Sequence, residues 1–118
     1  MLSETAGQKF ATDWIRAWNS HQLDAIMSHY AAEVRLTSPA AAQLLRDPSG
    51  TVQGREALRD YFERGLAAYP DLAFRLLDVM RGIASVVLYY ENQKGTRTGE
   101  FMELDANHKV LRVVANYT

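Results

Sequence analysis

The chain contains no cysteine. That excludes a disulfide framework and any thiolate chemistry. Strong charge of either sign is missing too: 13 Lys and Arg face 14 Asp and Glu, for a net charge of −1. No basic stripe of the kind a nucleic-acid partner requires stands out. No apolar run reaches the length of a membrane span. The opening residues, MLSETAGQKF, lack the basic-then-apolar order of a signal peptide, so a cytoplasmic protein is expected. Histidine is sparse as well. His21, His29 and His108 are scattered and show no HxH or HExxH spacing, so no metal signature is present.

What is present is ordinary for a globular protein. Hydrophobic residues make up 47% and charged residues 23% of 118 positions, enough to build one core without staples. One domain over residues 1–118 is expected, with no repeat, linker or low-complexity tract inside it.

Two periods divide the chain. Phe10, Trp14 and Trp18 recur every fourth residue with Ala11 and Ile15 beside them, which predicts a helix over 4–19 with Ser3 as its cap. Leu23, Ile26, Met27 and Tyr30 follow at i, i+3, i+4, i+7 spacing and predict a second, short helix. Val34, Leu36 and Ser38 alternate with Arg35 and Thr37, which predicts a strand ending at Ser38-Pro39. Residues 39–47 suit one or two helical turns, because proline is tolerated in a first turn. Asp47 to Gly54 is rich in turn formers and reads as a loop. A third main helix is expected from Arg55 to Ala67, with Leu58, Tyr61, Phe62 and Leu66 apolar.

Beyond Pro70-Asp71 the period is that of strands. Leu72, Phe74 and Leu76 alternate. Ile83 to Tyr90 is almost wholly apolar, which predicts a strand covered on both faces. Thr96–Asp105 and Lys109–Tyr117 complete the set, separated by turns at 92–95 and 106–108. Helices segregated from a strand meander indicate an α+β domain.

The segment GEFMELD, Gly99 to Asp105, alternates acid with apolar. Glu100, Met102 and Leu104 share one face of the strand; Phe101, Glu103 and Asp105 share the other. Alternation alone does not choose between them.

Three stretches, AWNSHQLDAIMSHYAAEV, GREALRDYFERGL and ELDANHKVLRVVANY, occur in an order and at distances that resemble the nuclear transport factor 2-like superfamily. Within it, the chain is similar to the SnoaL-like and ketosteroid-isomerase-like proteins. The resemblance covers nearly the whole chain. It implies an NTF2-like cone, in which a curved, antiparallel or mixed sheet wraps around three helices of the N-terminal half. It also implies an apolar pocket at the open end and a homodimer through the outer sheet face. The apolar strand Ile83–Tyr90 agrees with such a dimer, since its exposed face would be adhesive.

The resemblance also assigns positions. Trp14 stands where the isomerases carry a tyrosine donor, and Ser38 where they carry the base. A hydroxyl without a neighbouring base does not abstract a carbon-bound proton near neutrality, so authentic steroid isomerisation is not expected. A gap-free count back from Lys109-Val110 places Glu100 at the isomerases' protonated aspartate, a group kept neutral so that it can donate a hydrogen bond. The same register turns Met102 and Leu104 inward. In the last strand it turns Leu111, Val113, Ala115 and Tyr117 inward.

Burial raises the pKa of such a carboxyl, so Glu100 is the expected general acid or base. Paired instead with Arg97 at the rim, it would have no chemical role. Trp14, Trp18, Tyr30, Ser38, Phe62, Met102 and Tyr117 are the expected pocket contacts. Tyr89 and Tyr90 face opposite ways; parity leaves open which one enters the pocket, and Tyr89 is included among the contacts. No cofactor is implied. Asp78, Arg97 and Asp105 do not match the Asp-Arg-Asp set of the superfamily's epoxide hydrolases. The expected ligand is a small, apolar, oxygen-bearing molecule. It would be isomerised, cyclised or cleaved, or else bound by a non-catalytic module whose cone is filled or merely captures it.

Overall fold

The computed structural model describes all 118 residues. Helix α1 spans Glu4–Ser20. It starts where expected because Ser3 Oγ accepts a hydrogen bond from the Ala6 N–H at 3.1 Å, which satisfies one of the orphan donors of the first turn. Its apolar stripe of Phe10, Ala11, Trp14, Ala17 and Trp18 is buried. It ends at His21, whose left-handed backbone (φ 60°) turns its N–H back to the Trp18 carbonyl.

Helix α2 is shorter than its spacing predicts. It covers Leu23–Met27 and buries Ile26 and Met27, while Tyr30 opens strand β1, Tyr30–Thr37. The reason is tertiary. The Ser28 carbonyl is taken by Lys109 Nζ at 2.6 Å, and the His29 carbonyl by the Val110 N–H at 2.8 Å. Carbonyls claimed by a neighbouring strand pull the chain out of a helix that propensity alone holds weakly.

Ser38 closes β1 and caps helix α3, Pro39–Leu45, by accepting from the Ala40 N–H at 3.1 Å. The stretch read as a loop contains a three-residue strand, β2 (Thr51–Gln53), paired antiparallel with β1 through Arg35↔Gln53 and Thr37↔Thr51. Three residues are too few to show a period. Gly50 makes the pairing possible. It sits at φ +60°, and a Cβ there would lie 2.5 Å from the Ser38 carbonyl oxygen. Helix α4, Arg55–Ala68, buries Leu58 and Phe62. Arg55 ties it down by donating to the carbonyls of Tyr30 (3.2 Å) and Met27 (3.1 Å).

Strands β3 (Arg75–Arg81), β4 (Ser85–Glu91), β5 (Arg97–Leu104) and β6 (Val110–Tyr117) complete one six-stranded sheet in the order β2-β1-β6-β5-β4-β3. Only β1 and β6 run parallel; every other pair is antiparallel. Register shifts interrupt β1–β6, β3–β4 and β5–β6. Bulges of this kind bend a sheet, and here it curves around the helices.

Two strand expectations change. The strand expected to be covered on both faces begins at Ser85, not Ile83, which lies in the preceding turn and is 81% exposed, and only the strand's inner face is fully buried. Within it Val86, Leu88 and Tyr90 are buried, while Val87 and Tyr89 face outward and are half-buried. In β6 the bulge beside Glu103/Leu104 pairs Leu104 with Val110. Val110 is therefore buried in place of Leu111, and the inward face resumes at Val113 and Ala115. The α+β reading holds, with four helices where three were counted.

Candidate active site

The open end of the curved sheet encloses a cavity of about 390 Å³, within the range typical of small-ligand pockets. Eight aromatic rings line it, among them Trp14, Trp18, Phe62 and Phe74. Phe74 links the wall together: it stacks on Trp14 (5.9 Å between centroids, 13° between planes) and packs on Tyr90 at 4.5 Å. The segment carrying it has few backbone hydrogen bonds and is clamped from α1. Asn19 donates to the Phe74 carbonyl (2.9 Å) and accepts from the Phe74 N–H (2.7 Å). His21 Nε2 donates to the Leu72 carbonyl at 2.7 Å.

Glu100 is the only acid in this lining. Its register explains its direction: it pairs with Leu88 on one side and Ala115 on the other, and both are buried. It is itself only 7% exposed. Tyr90, two residues along β4 from Leu88 and so on the same face, is diagonal to it and within side-chain reach. The Tyr90 hydroxyl donates to Glu100 Oε1 at 2.6 Å, a length characteristic of a charge-assisted bond. No protein group bonds Oε2, which is not sealed off from the cavity.

Burial drives the electrostatics. It pushes the Glu100 carboxyl up to about 7, against the opposing pull of the Tyr90 hydrogen bond. Burial, and then the Glu100 charge, push the Tyr90 phenol well above its ordinary value, so Tyr90 remains a donor. A second group of hydroxyls sits along the wall. Tyr117 Oη lies 3.3 Å from Ser38 Oγ. The outer part of Tyr117 is exposed (44% for the whole residue), yet burial of its inner end pushes the hydroxyl up to about 12, with the Glu100 charge adding to the shift. The Tyr61 hydroxyl is raised for the same first reason. The arrangement is a largely aromatic chamber with one buried carboxyl on its floor and phenol hydroxyls around it.

A profile of the SnoaL-like domain matches residues 11–116. The chain belongs to the SnoaL-like domain family. Among solved structures it is similar to a SnoaL-like protein of unknown function from Burkholderia thailandensis, at 34% identity and a TM-score of 0.94 over 99% of this chain and 98% of that one. It shares its fold with a candidate isomerase of the SnoaL-like family from Agrobacterium tumefaciens (14% identity, TM-score 0.75, 97% and 98% covered). It also shares it with SalBIII, an epoxide hydrolase/cyclase-like enzyme of pyran ring formation in the polyether salinomycin (18% identity, TM-score 0.74, 100% and 95% covered). Comparison with curated proteins gives no match.

In this SnoaL-like chain, Trp14, Trp18, Ser38, Phe62, Glu100 and Tyr117 all line the cavity. Three expected contacts do not. Tyr89 faces the outer side of the sheet, where its hydroxyl accepts from Arg97 at 2.9 Å; Tyr90 takes the inner position, because β4 places Leu88 and Tyr90 on the core face. The same contact occupies Arg97 away from Glu100. Met102 points inward as expected but is fully buried beneath the floor. Tyr30 is buried behind the wall, where its hydroxyl accepts from Trp14 Nε1 at 3.0 Å. That bond also removes the Trp14 N–H from the role of ligand donor. The Trp18 N–H, in contrast, is buried without a partner.

Sequence reasoning missed Tyr61, Phe74 and Thr98 as cavity residues. Tyr61 and Phe74 read as generic apolar positions, and nothing local distinguishes a wall from a core. No three acid, histidine or cysteine side chains converge on one point. Asp78 lies on the outer face opposite Tyr89, and Asp105 caps the β5–β6 turn by accepting from Asn107 and Lys109 N–H groups.

Proposed function

We propose that this SnoaL-like protein is a cofactor-independent enzyme that moves a proton on an apolar, oxygen-bearing small molecule held in the cone. Isomerase, cyclase or lyase chemistry fits. The observation that carries the reading is Glu100: a buried carboxyl with one oxygen fixed by Tyr90 and the other open to an aromatic chamber. A pKa of about 7 populates both protonation states near neutrality, where a general acid or base works best. As carboxylate, Glu100 Oε2 takes a proton from carbon next to a carbonyl. As acid, it returns the proton to carbon or gives it to a leaving or ring-opening oxygen. Tyr117 and Tyr61 are the donors available to a ligand oxygen as charge develops there. The aromatic walls keep water out and strengthen those contacts.

An open cavity of ligand size supports turnover or capture over a cone filled by its own side chains. Capture without chemistry is the competing reading, and Glu100→Gln separates the two. The amide keeps the shape and loses the proton, so turnover should fall by ~10²–10⁴-fold, the usual contribution of a positioned acid–base group. Ligand affinity should change little. Turnover equal to that of the parent protein would remove Glu100 from the mechanism.

The outer sheet face is proposed to form a homodimer. Met80, Val87, Phe101 and Val114 make one cross-strand row, with Met80 53% exposed. A continuous apolar row of this kind marks an interaction surface.

A further inference from the structure

The cavity has one positively charged side chain in its lining, and no carboxylate lies within ion-pair distance of it. Lys94 sits at the tip of the β4–β5 hairpin, with its Nζ 5.2 Å from the centroid of the Tyr69 ring across the cavity mouth. It belongs to no ion pair. Beside it, the Gln93 side chain makes no hydrogen bond. Its carbonyl Oε1 is buried and unpaired, which leaves the amide nitrogen as the accessible end. Two donors without acceptors therefore share one rim of a largely aromatic chamber, and the only other charged side chain in the lining is that of Glu100.

The separation of the two charges sets an orientation. Glu100 lies four residues down β5 from Thr96 at the hairpin tip, a rise of roughly 13 Å. The reach of the Lys94 side chain shortens that span to the length of a small bicyclic molecule. Both donors are accessible and no protein acceptor occupies them, so a ligand carboxylate at the mouth would take a hydrogen bond from each at once. One lysine and one amide match a single negative charge better than the two or more of a phosphate ester.

We propose that the cavity is selective for ligands that carry a carboxylate. Lys94 and Gln93 receive that group at the mouth, and the apolar carbon framework is directed down to Glu100. This rests on the reading of the cavity as a ligand site and adds the substrate class to it. The orientation also keeps the ligand's charge far from the Glu100 carboxylate, where like charges would repel. The Tyr69 ring holds Lys94 in place before binding; an exposed cation–π contact is weak enough to yield to a full charge.

The test uses two probes of equal shape, 2-naphthylacetate and 2-naphthylacetamide, titrated into the full chain by calorimetry at neutral pH. The acid should bind at least tenfold more tightly than the amide. Lys94→Met should erase that preference, Lys94→Arg should preserve most of it, and added salt should weaken only the acid. Equal affinities, binding of neither probe, or a preference that survives Lys94→Met would each overturn the proposal. Glu100→Gln keeps the two ideas apart. It should retain the acid preference while losing turnover, so unchanged turnover in that variant would defeat the catalytic reading and leave the carboxylate site standing.

Discussion

At the scale of the residue, a buried acid is a cost that the fold carries. Glu100 titrates at 4.5 in the unfolded chain and at about 7 in the cavity. Between those values the native state holds the proton more tightly than the unfolded state does, so stability falls as pH rises through that window. Above pH 7 the full penalty applies, on the order of 3 kcal/mol. Glu100→Gln removes it. Denaturant unfolding should therefore show the variant gaining stability over the parent as pH is raised from about 4.5 to 8. A constant difference between the two across that range would mean that Glu100 is not desolvated. Sites tuned for chemistry commonly sacrifice stability in this way.

At the scale of the element, the hydroxyl side of the cavity depends on a turn that contains no cavity residue. Ser38 is held by the bond from its N–H to the Gly50 carbonyl at 2.9 Å, and its side chain is held by the cap it makes on α3. Gly50 permits this by adopting φ +60° against the Ser38 backbone. In Gly50→Ala the new Cβ meets the Ser38 carbonyl oxygen, which accepts from the Ala42 N–H at 3.1 Å and cannot move without disturbing the first turn of α3. The expected loss is about 2–3 kcal/mol, the upper part of the range for a strained backbone position, read as a lowered midpoint in thermal or urea unfolding. Gly54 isolates the backbone part of such a cost: a Cβ there meets nothing within 4 Å, but φ 90°, ψ 153° lies in a region essentially reserved for glycine, so alanine there is costly for backbone reasons alone.

At the scale of the whole molecule, the two faces of the sheet do different work. The inner face supplies Glu100, Tyr90, Thr98 and Ala115 to the cavity. The outer face carries the apolar row through Val87, Phe101 and Val114, with the Arg112 guanidinium 5.5 Å from the Phe101 ring centroid. Phe101→Glu places a charge in the centre of that row. Light scattering at micromolar concentration should give a dimer mass for the parent and a monomer mass for the variant, with ligand binding in the cavity retained. A parent protein that is monomeric under those conditions would assign the row another role.

The order of helices and strands was legible because long amphipathic stretches advertise their period. Phe10, Trp14 and Trp18 specify α1 by spacing alone, and the alternation in GEFMELD specifies a strand. Glu100 emerged as the one inward acid once the resemblance chose between the two faces of that strand. Where pairing with distant residues decided the outcome, the sequence was silent. Tyr30 fits a helix by spacing but starts a strand because Lys109 and Val110 capture the carbonyls before it. Tyr89 and Tyr90 are equivalent by parity until the sheet turns one of them toward Glu100. The bulge that replaces Leu111 with Val110 has no local signature. Sequence by itself determined which segments are periodic and which residues are able to exchange a proton or fill a core. Tertiary structure decided which of them surround empty space, because a cavity is a property of the gap between elements and no single element encodes it.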